Sequence, residues 1–242
     1  MTRTTITPPL PEALLFDVFG TVVDWRSSII AELEAFGRAR NITADWVAVT
    51  DDWRKLYQPS MEEVRSGRRP WTILDVLHRE SLDTLIDRHG IAGLTEEDRA
   101  HLTRVWHRLK PWPDVIDGLK RLKTRFIIGT LSNGNVGLLT RMAKNVGLPW
   151  DVVLGAETAR AYKPLREAYV RSAELLNLPP SGVMLVAAHN DDLRAAAAAG
   201  LRTAFVARPT EYGPHQAKDF KAEPGWDIIT DSFGGVADAL GC

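Results

Sequence analysis

An aspartate follows a short apolar run near the start of the chain, where a carboxylate could act as a nucleophile. The run is Ala13–Phe16, bounded upstream by Pro8, Pro9 and Pro11, and Asp17 comes directly after it. This length and these boundaries predict a fully buried strand. Ligands of open α/β sheets bind outside the carboxyl ends of strands, and burying an unpaired charge is expensive. We therefore expect Asp17 to be functional rather than structural.

A turn after the next apolar run presents a hydroxyl and an amide. Ser132 and Asn133 follow the run Phe126–Leu131 and precede a helical pattern over Val136–Val146. Such a turn can hydrogen-bond a group under attack, or it can simply cap the helix. Because the turn stands at a second strand end, we expect it to lie near Asp17.

Two further charged stretches complete the candidate chemistry. Lys163 precedes Pro164 at a predicted helix start. An isolated lysine is usually a solvated surface charge. Beside Asp17, however, its ammonium would keep that carboxylate ionised. His189 and Asp192 follow the apolar run Val183–Ala188. His189 could orient or deprotonate a water molecule, or it could only bond Asp17 or the backbone.

The elements that must position these residues fall into two patterns. Residues 24 to about 110 are a succession of helical segments in which we expect no strand, and the rest alternates strands with helices. That alternation predicts a parallel sheet covered on both faces. We predict an α/β, Rossmann-like, doubly wound core (1–23 and 110–242) with an all-helical cap subdomain (24–109) inserted after the first strand.

Composition excludes several classes of function. Hydrophobic residues make up 45% of the 242 residues, charged residues 25%, and the formal net charge is −1. Lys and Arg are not clustered, so we expect neither nucleic acid nor a membrane as a partner. No apolar run approaches the roughly 20 residues of a membrane span, and the amino terminus shows no secretory pattern. The lone Cys242 cannot form an internal disulfide. A cytoplasmic location is the default expectation.

The segment Asp17-Val18-Phe19-Gly20-Thr21-Val22-Val23-Asp24 resembles motif I of the haloacid dehalogenase superfamily, whose first Asp is the nucleophile. Phosphatases of that superfamily carry a second Asp, the general acid, where this chain has Phe19. A departing halide is a stable anion that needs no proton. The segment is therefore most similar to the L-2-haloacid dehalogenase branch, type II, in which an aromatic residue is common at this position.

The resemblance extends in order along the chain and implies roles for further residues. Tyr162-Lys163-Pro164 with Tyr169 is similar to the branch's third motif, and Trp53-Arg54 to a pair whose arginine contacts the substrate and the halide. Arg65, Arg68 and Arg69 are rivals to Arg54, and Trp71 would form an apolar wall for the carbon–halogen end or only pack the cap. The implied catalytic residues are Asp17, Thr21, Arg54, Ser132, Asn133, Lys163, His189, Asn190 and Asp192, and the implied substrate-binding residues are Val18, Phe19, Trp71 and Tyr169.

The fourth motif departs from the family pattern. The Asp that binds magnesium in the phosphatases falls on Ala188, so we expect no metal and no other cofactor. The branch commonly has Ser-Ser-Asn-Ala-Trp-Asp here, which places His189 at the asparagine position. Asp191 has no counterpart in that pattern and could be only a helix-start acid.

The resemblance implies hydrolysis of short 2-haloalkanoic acids (L-2-haloacids and haloacetates) to 2-hydroxyacids. The reaction would proceed with inversion, without metal, through an ester on Asp17. The alternatives are a magnesium-dependent phosphohydrolase and a non-catalytic binding protein of the same fold. The expected partners are a small haloacid and the halide ion. The resemblance is also compatible with a homodimer, for which no stretch of the sequence argues.

Overall fold

The protein is described from a computed structural model that covers residues 3–4 and 9–242. Its strands are β1 (Arg3–Thr4), β2 (Ala13–Phe16), β3 (Val23–Asp24), β4 (Lys110–Pro111), β5 (Ile127–Ser132), β6 (Val152–Gly155), β7 (Val183–Ala187), β8 (Arg202–Val206) and β9 (Ile228–Thr230). Its helices are α1 (Trp25–Arg40), α2 (Trp46–Arg65), α3 (Leu74–Arg88), α4 (Glu96–Thr103), α5 (Val115–Lys123), α6 (Val136–Val146), α7 (Ala156–Ala159), α8 (Arg166–Glu174), α9 (Asn190–Ala198) and α10 (Phe233–Leu240).

The main sheet has the order β1-β9-β8-β7-β2-β5-β6. Strands β2 and β5 to β9 run parallel, and β1 pairs antiparallel with β9 at one edge. The predicted Rossmann-like α/β sheet is confirmed. Because β2 lies between β5 and β7, whatever follows β2 lies beside the carboxyl ends of two neighbouring strands.

Alternate residues of β2 belong to two separate cores, one on each face of the sheet. Leu14 and Phe16 join the core that includes α5, α6, α10 and the helices following β3. Ala13 and Leu15 join the core formed with α8 and α9. All four side chains are fully buried, because successive side chains of a strand point to opposite faces and both faces are covered. A strand buried in this way must be apolar throughout, as this run is.

The helical segment 24–109 begins and ends at a small ladder that the sequence prediction missed. Val23–Asp24 pairs antiparallel with Lys110–Pro111, so the expectation of no strand in this region was wrong. Each strand has only two residues, too few for a visible alternation. The ladder brings the two ends of the segment together. Helices α1 to α4 lie between them.

Side-chain caps fix the starts of two helices in the segment 24–109. Asp24 caps α1 by accepting from the N–H of Ser27, and Thr95 caps α4 in a capping box with Asp98, as its sequence predicts. Helix α3 begins at Leu74, and α4 ends at Thr103 before a 3₁₀ turn. No helix in the described ranges is long and apolar enough to cross a membrane.

Candidate active site

Asp17 lies at the carboxyl end of β2 and lines a cavity of about 520 Å³. Its N–H donates to the carbonyl of Val186 (3.1 Å), which extends the pairing of β2 with β7 by one residue. The Asp17 side chain is 9% exposed. The residue following the central strand therefore presents its carboxylate at the floor of the cavity, as predicted from its position.

Three donors hold the Asp17 carboxylate. Lys163 Nζ is 2.9 Å from Oδ1, while Thr21 Oγ1 donates to Oδ2 at 2.7 Å and His189 Nδ1 is 3.1 Å from Oδ2. Thr21 Oγ1 in turn accepts from the N–H of Ala188 (2.9 Å), which fixes its orientation. Burial favours a raised pKa for Asp17, but the Lys163 ammonium and His189 outweigh it and hold that pKa well below its usual range. Asp17 is thus ionised and oriented.

Lys163 bridges two carboxylates. Its Nζ also donates to Asp192 Oδ2, and Tyr169 OH donates to Asp192 Oδ1 (2.7 Å). The backbone N–H of Lys163 donates to Asn133 Oδ1 (2.8 Å), so the turn after β5 anchors the lysine. Burial raises the pKa of Asp192 and the nearby Asp17 adds to that, whereas Lys163 opposes both. Asp192 is therefore a more basic carboxylate than Asp17, as a group that takes a proton from water would need to be.

Arg54, on α2, is one of the residues that line the cavity. Its guanidinium lies over the rings of Tyr57 (4.4 Å) and Trp25 (5.1 Å), and its side chain is 14% exposed. Nη1 is buried without a hydrogen-bond partner among the described residues. A stacked guanidinium with an unused donor is suited to an anion such as a carboxylate or a halide.

Phe19 and Tyr57 form an apolar part of the cavity wall. Phe19, two residues after Asp17, packs edge-on against Tyr57 (6.2 Å between ring centroids) and Trp106 (5.7 Å). Neither ring can give up a carboxylic proton to a leaving group. Tyr57 was not singled out from the sequence, although it lies three residues after Arg54 and so on the same face of α2.

Glu211 contacts residues of the site and was not singled out from the sequence. Its Oε2 lies 2.8 Å from His189 Nε2, its Oε1 accepts from Trp25 Nε1 (3.0 Å), and Oε1 lies 3.8 Å from Arg54 Nη2. Burial would raise its pKa, but His189 outweighs burial and lowers it. The signal that could have found it is its place in the loop after β8, another parallel strand whose carboxyl end faces the same edge.

Gly20 makes room for Glu211. It has φ = +90°, and a Cβ built there would lie 2.1 Å from Glu211 Oε1. Any larger residue would therefore both strain the turn and displace the carboxylate. The Gly-Thr pair after Asp17 thus has two structural effects: Thr21 orients the Asp17 carboxylate, and Gly20 leaves room for Glu211.

Asn190 does not reach the cavity, contrary to the expected catalytic role. Its Nδ2 donates to Asp219 Oδ1 and to the carbonyl of Lys221, both at 3.0 Å. Its Oδ1 accepts from the N–H of Glu223 (2.8 Å) and from Trp226 Nε1 (3.0 Å). Every amide hydrogen and the carbonyl oxygen are thus used to anchor the loop 219–226.

Trp71, Ser132 and Val18 also lie away from the cavity lining. Trp71 packs on Tyr162 (4.9 Å between centroids), so cap–core packing, the alternative considered for it, describes its position. Ser132 is fully buried and its Oγ accepts from the N–H of Gly134 (3.1 Å). The side chain of Val18 is buried in the core. The structure thus brings together Asp17, Phe19, Arg54, Asn133, Lys163, Tyr169, His189 and Asp192 around the cavity, with Thr21 behind Asp17.

No group of three or more His, Cys, Asp or Glu side chains within residues 9–242 is arranged to hold a metal ion. Asp17 and Asp192, two of the carboxylates that line the cavity, share the Lys163 ammonium instead. Ala188, at the position of the superfamily's magnesium ligand, offers no donor atom from its side chain.

Comparisons with known proteins agree with this geometry. The model of the haloacid dehalogenase-like hydrolase family matches residues 11–200. The crystal structure of a defluorinating L-2-haloacid dehalogenase is 46% identical, covers 99% of both chains and superposes with a TM-score of 0.95. Another L-2-haloacid dehalogenase structure is 48% identical over 96% of this chain and 99% of that one, with a TM-score of 0.93.

A curated relative is more distant in sequence. The (S)-2-haloacid dehalogenase of Xanthobacter autotrophicus is 29% identical over 204 residues, which cover 81% of this chain and 75% of that one. The family match spans most of the chain, and the two solved structures exceed 45% identity over nearly their full length. The chain belongs to the haloacid dehalogenase-like hydrolases, in the branch of the L-2-haloacid dehalogenases.

Proposed function

We propose that this protein hydrolyses short 2-haloalkanoic acids to 2-hydroxyacids through an ester on Asp17. The observation that carries the proposal is the ionised Asp17 carboxylate in a cavity that is also lined by the cation Arg54. The names of the similar proteins support the same chemistry, since they are L-2-haloacid and (S)-2-haloacid dehalogenases.

In the first step a carboxylate oxygen of Asp17 attacks C2, and the carbon–halogen bond breaks with its electron pair leaving on the halide. Oδ2 accepts from Thr21 and His189, whereas Oδ1 accepts from Lys163 alone among the described residues. The oxygen with the unused lone pair, Oδ1, is therefore the nucleophile. Arg54 binds the substrate carboxylate or the departing halide. A single displacement inverts C2, so an L-2-haloacid gives a D-2-hydroxyacid.

In the second step water attacks Cγ of the Asp17 ester. The bond between Cγ and Oδ1 breaks, the 2-hydroxyacid leaves, and the carboxylate is restored. One proton of the water passes to the product hydroxyl and the other to solvent. Asp192, fixed by Lys163 and Tyr169 and with a raised pKa, is the group that takes the proton from the attacking water.

The segment 24–109 acts as a cap in this proposal, and residues 1–23 and 110–242 form the core. Arg54 and Tyr57 from α2 line the cavity together with Asp17 and Lys163 from the core, so chemistry occurs between the two parts. Closing a cap over the site would exclude bulk water and strengthen the interactions of Arg54. The proposal needs no metal or cofactor. It also includes a cytoplasmic location, to be tested by cell fractionation, and a homodimer, to be tested by light scattering.

The two alternatives have less support. A magnesium-dependent phosphohydrolase needs a proton donor for its alkoxide leaving group, and Phe19 and Ala188 stand where that superfamily supplies the acid and a metal ligand. A non-catalytic binding protein would have no need to hold Asp17, Lys163 and Asp192 in one buried cluster, because such clusters cost desolvation energy.

The test is halide release from L- and D-2-chloropropionate in the presence of EDTA. We expect release from the L isomer only, unaffected by the chelator. In a single turnover in water labelled with oxygen-18, the label should enter Asp17 and not the 2-hydroxyacid, because water attacks Cγ. Label in the product would contradict the ester mechanism. Phosphate release that requires magnesium, with no halide release, would favour the phosphohydrolase instead.

Fluoride is included among the proposed leaving groups. The support is the 46% identical relative, whose name describes it as defluorinating, together with the Arg54 guanidinium in the cavity lining. Fluoride needs strong hydrogen-bond donors as it leaves because its charge is compact. A fluoride electrode with fluoroacetate as substrate tests this extension, and chloride release without fluoride release would remove it while leaving the main proposal intact.

A further inference from the structure

His189 lies between two carboxylates. Its Nδ1 is 3.1 Å from Asp17 Oδ2, and its Nε2 is 2.8 Å from Glu211 Oε2. An ionised carboxylate only accepts hydrogen bonds, so each ring nitrogen carries a proton when both bonds are made. The ring is then an imidazolium, with one N–H directed at the nucleophile and the other at a carboxylate that takes no direct part in the displacement.

Glu211 is itself rigidly held. Its side chain is 1% exposed, Trp25 Nε1 donates to its Oε1, and the turn at Gly20 leaves the space that it fills. Arg54 Nη2 lies 3.8 Å from the same Oε1. A buried carboxylate without counter-charges would be expensive, so these contacts keep Glu211 ionised and its Oε2 directed at His189.

Resting on the function proposed above, the geometry points to Glu211 as the positioning residue for the second half of the reaction. It keeps His189 doubly protonated while the ester is hydrolysed, so that the Nδ1–H of His189, together with the Thr21 hydroxyl, stabilises the oxyanion that forms on Asp17 Oδ2. This role for His189 differs from that of a base, because the ring keeps both of its protons throughout.

The assignment follows from the charge that each Asp17 oxygen carries while the ester is hydrolysed. With Oδ1 alkylated, Oδ2 is the carbonyl oxygen of the ester and still faces Thr21 Oγ1 and His189 Nδ1. Attack of water on Cγ moves the carbonyl electron pair onto Oδ2. Two fixed donors then meet an oxyanion in a buried site, which is the arrangement that most lowers the energy of such an intermediate. Collapse returns the pair and expels the product oxygen.

Glu211 contributes more to keeping His189 protonated in the ester form of the enzyme than in the resting enzyme. Before alkylation, both Asp17 and Glu211 hold the proton on His189 and keep its pKa well above its usual value, although burial lowers it. Alkylation removes the Asp17 charge, which leaves Glu211 as the carboxylate in contact with the ring. His189 also occupies the N-cap position of α9, where the helix dipole disfavours a cation.

The other charged groups near His189 do not replace Glu211. Lys163 lies behind Asp17, Arg54 lies behind Glu211, and Asp192 on α9 is occupied by Lys163 and Tyr169. Both neighbouring cations would repel an imidazolium. Removing the Glu211 charge should therefore lower the pKa of His189 in the ester form of the enzyme, so that the ring becomes neutral at a lower pH than in the wild type. A neutral ring with an unprotonated Nδ1 cannot donate a hydrogen bond to Oδ2.

The experiment compares the two half-reactions in the full-length Glu211→Gln variant by rapid quench with L-2-chloropropionate. We expect about one chloride per site in a burst, accumulation of the Asp17 ester by intact mass, and a hydrolysis rate reduced about 10²-fold, with alkylation much less affected. Trp25→Phe removes the indole N–H that donates to Glu211 but keeps an aromatic ring at this position. It should slow ester hydrolysis to a smaller extent. Glu63→Gln, a surface carboxylate paired with Arg68, is the control.

The pH profile of ester hydrolysis gives the second readout. In Glu211→Gln the rate of ester hydrolysis should begin to fall with rising pH at a lower pH than in the wild type. The reason is that the protonated His189 ring is the active form and its pKa is lower in the variant. An unmoved alkaline limb, a rate that keeps rising with pH on the alkaline side, or equal losses in both half-reactions would overturn the assignment. Absence of chloride release from the wild-type enzyme would instead refute the proposed function itself.

Discussion

The ammonium of Lys163 contacts two carboxylates at once, lying 2.9 Å from Asp17 Oδ1 and donating to Asp192 Oδ2. The lysine side chain is 8% exposed, so water contributes little to stabilising any of the three charges. One cation therefore favours the ionised form of both Asp17, the proposed nucleophile, and Asp192, the proposed acceptor of the proton from water.

Replacing Lys163 with Met should shift the acid limb of ester formation to higher pH. The pKa of Asp17 lies well below its usual range in the intact site, so the carboxylate stays ionised as the pH falls. Without the ammonium, burial and the neighbouring Asp192 raise that pKa, and the protonated form no longer attacks. Measuring the chloride burst as a function of pH locates this acid limb. At neutral pH we expect ester formation to be slower by about 10²-fold or more. Lys120→Met, at an exposed position, should leave it unchanged.

Asp17→Asn should abolish the formation of any covalent adduct. The amide is isosteric and keeps contacts at the cavity floor, but it is not a nucleophile under these conditions. Intact mass after quenching, with L-2-chloropropionate, should show no addition to the variant, whereas Asp117→Asn at an exposed position behaves as the wild type. A variant that still released halide at the wild-type rate would show that another residue attacks C2.

Arg54→Lys should lower kcat/KM about 10²-fold, which is about 2.7 kcal/mol of transition-state stabilisation. Lysine keeps the charge but loses the planar fork and the stacking over Tyr57 and Trp25. Steady-state kinetics on L-2-chloropropionate measure the loss. The matched control is Arg194→Lys, at a surface ion pair; equal activity of Arg54→Lys and this control would indicate that a positive charge alone suffices.

Arg208→Gln should reduce the free energy of unfolding by about 3 kcal/mol. The guanidinium forms paired bonds with Asp114 (2.8 and 3.0 Å) and donates to the carbonyl of Thr21 at 3.0 Å. Its removal leaves a partly buried carboxylate unpaired and loosens the turn that orients Thr21. Urea unfolding gives the difference. Arg121→Gln breaks an exposed pair with Asp238 and should cost less than about 1 kcal/mol.

Residues that directly end an apolar strand could be predicted from the sequence, because strand polarity fixes where they lie. Asp17 after β2 and the Ser132-Asn133 turn at the end of β5 lie at the same edge of the sheet. Lys163 and Asp192 meet them there, and the helical segment between β3 and β4 was evident from periodicity. The two-residue strands β3 and β4 were not, since so short a ladder leaves no pattern.

Errors arose where neighbours in sequence point in different directions. His189 is the N-cap of α9 and has an extended backbone, whereas Asn190 is the first helical residue. The ring of His189 faces Asp17, and the amide of Asn190 faces the loop 219–226. Glu211 was missed for a related reason. It lies in an irregular loop whose contact with His189 is tertiary, so no periodicity or spacing in the sequence marks it.

The three cations Lys163, His189 and Arg54 meet three carboxylates, Asp17, Asp192 and Glu211, in one connected cluster. The resting site is thus electrically balanced. A substrate with one negative charge gives the cluster an excess of one negative charge. When the ester forms, that negative charge leaves with the halide. A doubly charged phosphate monoester would bring an excess of two negative charges. Charge balance in the buried cluster therefore selects monoanionic acids before any contact with the halogen is made.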